Sequence, residues 1–273
     1  MEQQSQIPES EIIKDKIRVE FKSVASEKHP DRNEDNIFID NEKQIFGVFD
    51  GVGGIKHGEV ASQNCVDQLK IDSQNVPNKI TEDDARDFLA EVFFKANKKN
   101  FEEGVESTAV AGIISEENGV KSIIVANVGD SRAYLYRDGV LEQITIDDNL
   151  MSYELRYKEP IKELQSKLNN VIDPEIELNE DEQIFYNQRN IITASIGNKE
   201  VQTRFYKQDL KIGDKILFCT DGVNDNLTDN EIKEILKENN NEASLLIEKA
   251  VNVSKSNNLR SKRDDMSAIV VIY

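Results

Sequence analysis

Ile17, Val19 and Phe21 alternate with Arg18, Glu20 and Lys22. This two-residue period predicts a strand with one buried face. Short apolar runs predict further strands at 37–39, 45–49, 122–128, 133–136, 140–145, 215–219 and 268–272. Asn118-Gly119 predicts a hairpin between strands at 109–115 and 120–128, and Asp138-Gly139 predicts another. The period then changes to that of helices. Thr81 can cap a helix whose apolar face is Ala85, Phe88, Leu89, Val92, Phe93 and Ala96. Val60/Ala61, Cys65 and Leu69 suggest an earlier helix. Thr228 and Glu231 make a capping box before Ile232, Ile235 and Leu236. Ala243, Leu246, Ile247, Ala250 and Val251 mark another helix. Clustered strands with interspersed helices predict an α+β fold with mainly antiparallel sheets.

Residues 1–14 read as a polar, flexible leader. Residues 15–273 read as a single domain, with an insertion at about 149–190 that carries Pro160 and Pro174. Within the insertion, Ile161, Leu164 and Leu168 can line one helix face, with Glu163 and Lys167 paired four residues apart. The insertion is either a plain surface segment or a mobile flap over a site.

The chain has 273 residues and a net charge of −18. That sign speaks against a general nucleic-acid or anionic-membrane binder. No run reaches membrane-spanning length and the N-terminus lacks a signal-peptide pattern. The expectation is a soluble, cytoplasmic monomer. Cys65 and Cys219 read as buried apolar residues. With only His29 and His57, a His-rich zinc site is not expected.

Acids recur where the predicted strands begin or end. Glu34 and Asp35 precede 37–39, and Asp50 follows 45–49. Asp130 follows 122–128, Asp221 follows 215–219, and Asp264 and Asp265 precede 268–272. One Asp-Gly pair marks only a turn. Five such coincidences suggest that strand ends gather carboxylates around hard cations, for which Mg²⁺ and Mn²⁺ are the natural candidates. Gly51-Val52-Gly53-Gly54 has the wrong spacing for a dinucleotide fingerprint. Gly53–Gly58 is not a phosphate loop, because Glu59 stands where lysine is required.

In order and spacing these blocks resemble the type-2C, metal-dependent serine/threonine protein phosphatases. The matching blocks are Asn33-Glu34-Asp35, Gly47–Gly54 with Gly58–Ser62, Ser107–Ala109, Gly129–Tyr134, Arg189–Thr193 with Ile196-Gly197, Gly213–Gly222 and Asp264–Ser267. The resemblance runs from about residue 17 to 273. It implies a central β-sandwich of two antiparallel sheets flanked by helices, a four-layer αββα arrangement. It also implies two Mn²⁺ or Mg²⁺ ions, with a third in many members. By position, Asp50 would bridge both ions and the Gly51 carbonyl would be a further ligand. Asp221 and Asp264 would complete one shell, Glu34 or Asp35 would hold the other ion, and Asp130 would serve the third. The implied reaction is attack of a metal-bridging hydroxide on the phosphorus of a phosphoserine or phosphothreonine in a protein substrate.

Two substrate-side features depart from the family pattern. The arginine expected three positions before Asn-Glu-Asp is Pro30, leaving Arg32 as the candidate phosphate-binding residue. The histidine that some members carry directly after Asp-Gly is Val52, so leaving-group protonation would fall to metal-bound water. Asp265 also stands where asparagine is usual; an extra acid there would tighten metal binding or raise a neighbouring pKa. These departures keep open a non-catalytic metal-binding signalling module and a phosphatase for small metabolites.

Overall fold

The computed structural model describes residues 17–52, 57–155 and 161–273. The 1–14 leader, Gly53, Gly54 and Pro160 lie outside the described residues. One sheet contains β1 (Arg18–Val24), β10 (Met266–Ile272), β9 (Lys215–Cys219), β6 (Arg132–Arg137) and β7 (Val140–Gln143), in that order. The other contains β2 (Asp35–Asp40), β3 (Ile45–Asp50), β4 (Ala109–Glu117), β5 (Val120–Val128) and β8 (Arg204–Asp209). Every paired strand is antiparallel.

The central strands read as unbroken apolar runs because both of their faces are covered. In β3, Phe46 and Val48 enter the core between the sheets. Ile45 and Phe49 instead join the core shared with α1 (Gly58–Asp72) and α2 (Glu82–Glu103). In β9, Ile216 and Phe218 face the other sheet. Leu217 and Cys219 pack with residues of α8 (Asp229–Leu236) and α9 (Glu242–Ser254). Three apolar layers thus separate helices, sheet, sheet and helices, the expected four-layer αββα arrangement.

Local signals agree with these elements. Thr81 caps α2 by accepting the Asp84 N–H, and Gly104 ends it at φ 68°. Such caps stabilise a helix by about 1 kcal/mol. Thr228 and Glu231 form both halves of the capping box of α8. Asn118/Gly119 and Asp138/Gly139 all have positive φ, as two-residue hairpin turns require. Cys65 and Cys219 are free and buried, and burial pushes the Cys65 thiol up to about 12.

The 149–190 region is organised into α3 (Leu150–Leu155), α4 (Ile161–Asn169), α5 (Pro174–Glu177) and α6 (Glu180–Asn187). Met151, Leu168, Val171, Leu178 and Tyr186 give it a small core of its own. Lys167 pairs with Glu182 of α6 at 2.6 Å, across the helix pair rather than along α4 as the sequence spacing suggests. Arg260 docks this helical region on the main body. Its guanidinium donates to the Val171 carbonyl at 3.1 Å and to the Asn224 carbonyl at 3.0 Å.

Candidate metal centre

Strand register brings the first acids together. Asp35 and Asp50 are direct cross-strand partners at one end of the β2–β3 pair. The Asp50 backbone is held on its other side, where its carbonyl accepts the Thr108 N–H at 2.7 Å and the Ser107 hydroxyl at 2.9 Å. Gly51 then turns toward α1, with its N–H donating to the Glu34 carbonyl at 3.1 Å. A Cβ at Gly51 would lie 2.2 Å from the Gly58 carbonyl oxygen, so only glycine allows this approach.

The second sheet supplies the remaining acids. β9 ends at Cys219, Thr220 follows, and Asp221 begins α7 (Asp221–Asn224). Thr220 stitches the two sheets together: its hydroxyl accepts the Ser267 N–H at 3.0 Å and donates to Asp35 Oδ2 at 2.8 Å. A Cβ at Gly222 would meet the Asp265 carbonyl oxygen at 2.0 Å, so glycine lets α7 lie against the approach to β10.

Glu34, Asp50, Gly51, Asp130, Asp221 and Asp264 line one cavity of about 250 Å³. Asp35 sits behind it as the partner of Asp50. Val52, Thr108, Asn190, Ile192 and Lys262 complete the wall. Asn190 closes the 149–190 region and Ile192 lies just beyond it, which brings the end of that segment to the edge of the cavity. Arg32 lies outside the acid ring, half exposed and 3.3 Å from Glu34 Oε1.

The carboxylates are held in an environment that disfavours their charge. Burial raises Asp50 well above the usual carboxylate range, and Asp35, Asp221 and Asp264 add repulsion. Burial likewise raises Asp35, against the Thr220 hydrogen bond, and raises Asp130, with Asp221 adding to it. Asp221 is pushed up to about 6, by burial first, although Lys262 opposes the shift. Asp35 Oδ1 and Asp221 Oδ1 are buried without a hydrogen-bond partner among the described residues. Buried acids that repel one another and leave oxygens unpaired suit a hard divalent cation.

Asp265 has a different task. It accepts the Ser26 N–H at 2.6 Å and the Glu34 N–H at 2.7 Å, fixing the turn into β2. Its charge also raises Asp35, as the sequence departure suggests. His29, Glu34 and Asp265 bring possible ligand atoms within 4.8 Å of one another. His29 Nδ1, however, lies 2.8 Å from the Arg32 carbonyl, where it must carry a proton and donate. That nitrogen and both Asp265 oxygens are therefore already engaged. His57 is exposed and lies 3.4 Å from Glu59.

The sequence reading passes over Lys262 and Asp225. Lys262 reaches Asp221, Asp225 at 3.0 Å and Asp264 at 3.2 Å. Its position two residues before Asp264 was the available signal, concealed within a Ser-Lys-Arg run that reads as solvated surface. Asp225, four residues after Asp221, falls on the same side of the helical turn.

Among the described residues no helix is long and apolar enough to cross a membrane. Residues 18–150 match the family model of protein phosphatase 2C. A putative protein phosphatase 2C-type from Streptococcus pyogenes is 30% identical over 208 residues, which are 72% of this chain and 75% of that protein. The crystal structure of serine/threonine phosphatase Stp1 from Staphylococcus aureus superposes with a TM-score of 0.74 at 26% identity, covering 94% of this chain and 95% of that one. The catalytic domain of the serine/threonine protein phosphatase PstP, in complex with two manganese ions, shares the fold at a TM-score of 0.69 and 23% identity, over 94% and 99% of the two chains. With its acid-lined cavity at the rim of two packed antiparallel sheets, the chain belongs to the protein phosphatase 2C family.

Proposed function

We propose that this protein is a metal-dependent serine/threonine phosphatase that hydrolyses phosphoserine and phosphothreonine monoesters in protein substrates. The observation that carries the reading is the convergence of Glu34, Asp50, Asp130, Asp221 and Asp264 on one cavity, with unpaired buried oxygens on Asp35 and Asp221. Mn²⁺ or Mg²⁺ is the cation class that such all-oxygen donors select. Asp50, the Gly51 carbonyl, Asp221 and Asp264 are the residues we assign to hold the ions, with Glu34 or Asp35 on the β2 side. Bound there, the ions supply Lewis acidity and a nucleophilic hydroxide at neutral pH.

The chain's own contribution is rigid placement. Asp50 is fixed by the β2–β3 ladder and by Thr108 and Ser107. Asp35 is aimed by Thr220, and Glu34 by the hold of Asp265 on its backbone. Asp221 starts α7 one residue beyond the Thr220 link between the sheets. Such preorganised charge does not have to be rearranged as the phosphoryl group transfers. Arg32 is our candidate for gripping the substrate phosphate. It is half exposed beside Glu34, and a bidentate guanidinium matches a phosphate better than any other side chain.

The test uses the purified protein with Mn²⁺ on phosphoserine and phosphothreonine peptides, alongside a panel of small phosphorylated metabolites. Hydrolysis of the peptides that disappears on chelation supports the proposal. Turnover confined to the metabolites, or no turnover at all with Mn²⁺ bound, overturns it.

A further inference from the structure

The Lys262 side chain is an internal cation in a place where the family resemblance leads one to expect only metal ions. Its ammonium is an ion-pair partner of three acids: Asp221 through Oδ2, Asp225 at 3.0 Å and Asp264 at 3.2 Å. Asp130 lines the same cavity and lies close enough for its charge to act on the ammonium.

The backbone of Lys262 is clamped so that its side chain is delivered there. Asn226, fully buried, accepts the Lys262 N–H at 2.9 Å and donates to both the Lys262 and Gly222 carbonyls at 2.8 Å. The lysine is thereby tied to the helical turn that carries Asp221 and Asp225. Its side chain is only 22% exposed.

The two oxygens of Asp221 divide between two environments. Oδ2 takes the ammonium, while Oδ1 is buried with no partner among the described residues. One carboxylate can thus serve Lys262 on one side and a divalent ion on the other. Asp225 is not free for a metal in the same way. Lys262 and, at 3.6 Å, Arg189 flank it, and their charges hold it below the usual carboxylate range against burial.

We propose that the Lys262 ammonium is a tethered third cation of this centre, occupying the position among Asp130, Asp221, Asp225 and Asp264 where a third divalent ion would otherwise bind. The inference rests on the two-ion phosphatase reading above and adds to it that the chain completes its centre with two exchangeable ions and one covalent charge. A tethered ammonium is present at every metal concentration. It also carries one charge rather than two, and its donors reach oxygens at hydrogen-bond rather than coordination distance. A divalent ion cannot enter the same space without displacing it. Lys262 is in this sense a positioning residue: it fixes Asp221 and Asp264 and fills the third site.

The test counts bound Mn²⁺ at millimolar metal, from the loss of the free-ion paramagnetic resonance signal. The samples are the wild type, Lys262→Met and Lys262→Gln, each checked for folding by circular dichroism. The wild type is expected to bind two ions and both variants three. A purely structural lysine would alter stability without adding a binding site. Three ions on the wild type, or two on the folded variants, overturns the inference while leaving the phosphatase reading intact if Mn²⁺-dependent peptide hydrolysis persists. No bound Mn²⁺ on any form overturns both. Should neither variant fold, the wild-type count decides alone, two supporting the inference and three overturning it.

Discussion

Residue by residue, the acidic cavity is a cluster of charges that the fold holds at a cost. Asp221 is shifted from 3.8 to about 6, and Asp35, Asp50 and Asp130 are raised well above 3.8, in each case chiefly by burial. Between the ordinary and the raised values the native state binds more protons than the unfolded chain, so stability falls as pH rises through that interval. Acids shifted the other way, such as Glu231, titrate with the opposite sign, but they do so below the ordinary carboxylate range. The melting temperature of the metal-free protein is therefore expected to rise by several degrees as pH is lowered from about 7.5 to about 5.5. Saturating Mn²⁺ should remove that gain, because the cation favours the ionised acids. Thermal melts at both pH values with and without metal check this; a metal-free protein that is more stable at the higher pH would contradict it. At this scale the sequence was legible for the acids, each of which marks a strand end beside glycine or another acid. It was not legible for Lys262, Asp225 or the Thr220–Asp35 link. Those depend on chain segments that only the packed sheets bring together.

At the level of elements, strands covered on both faces were read correctly because nothing in them interrupts the apolar run. β8 is the strand that escaped. Among the described residues Arg-Phe-Tyr-Lys-Gln-Asp pairs only with β5, at the sheet edge, and its half-buried and exposed side chains leave no apolar run to read. α6 is signalled by the capping box of Asn179 and Glu182, but that signal is hidden in a stretch of acids. Arg260 is one tie between the 149–190 helices and the main body, bonding the Leu168 and Val171 carbonyls on one side and the Asn224 and Leu227 carbonyls on the other. Replacing it leaves several buried carbonyls short of a donor. Arg260→Met is expected to cost about 2–4 kcal/mol in urea unfolding, since each buried group left unpaired costs about 1–3 kcal/mol and water can refill some. Hydrogen exchange should accelerate in α3, α4 and α6 more than in β3 or β9. Uniform acceleration across the molecule would show that these helices have no separate attachment.

For the whole molecule, function follows from where two sheets end. Packing the sheets face to face buries Phe46, Val48, Phe218 and Ile269 between them. It also sets the end of β3 beside the ends of β2, β9 and β10. Asp50, Asp35, Asp221 and Asp264 are carried to a common rim as a geometric consequence of the sandwich. The net charge of −18 makes the surface a poor general attractor of phosphorylated partners, so the local cations at the rim must reverse the field. The most direct measurement is steady-state hydrolysis of a phosphothreonine peptide with saturating Mn²⁺ by the wild type and by Asp50→Asn, whose side chain keeps the shape but loses the charge. The wild type should turn over, and the variant should retain its fold while losing at least about a thousandfold in kcat, roughly 4 kcal/mol of transition-state stabilisation. Equal rates for the two proteins, or a wild type inert toward every phosphopeptide while binding Mn²⁺, would contradict the account.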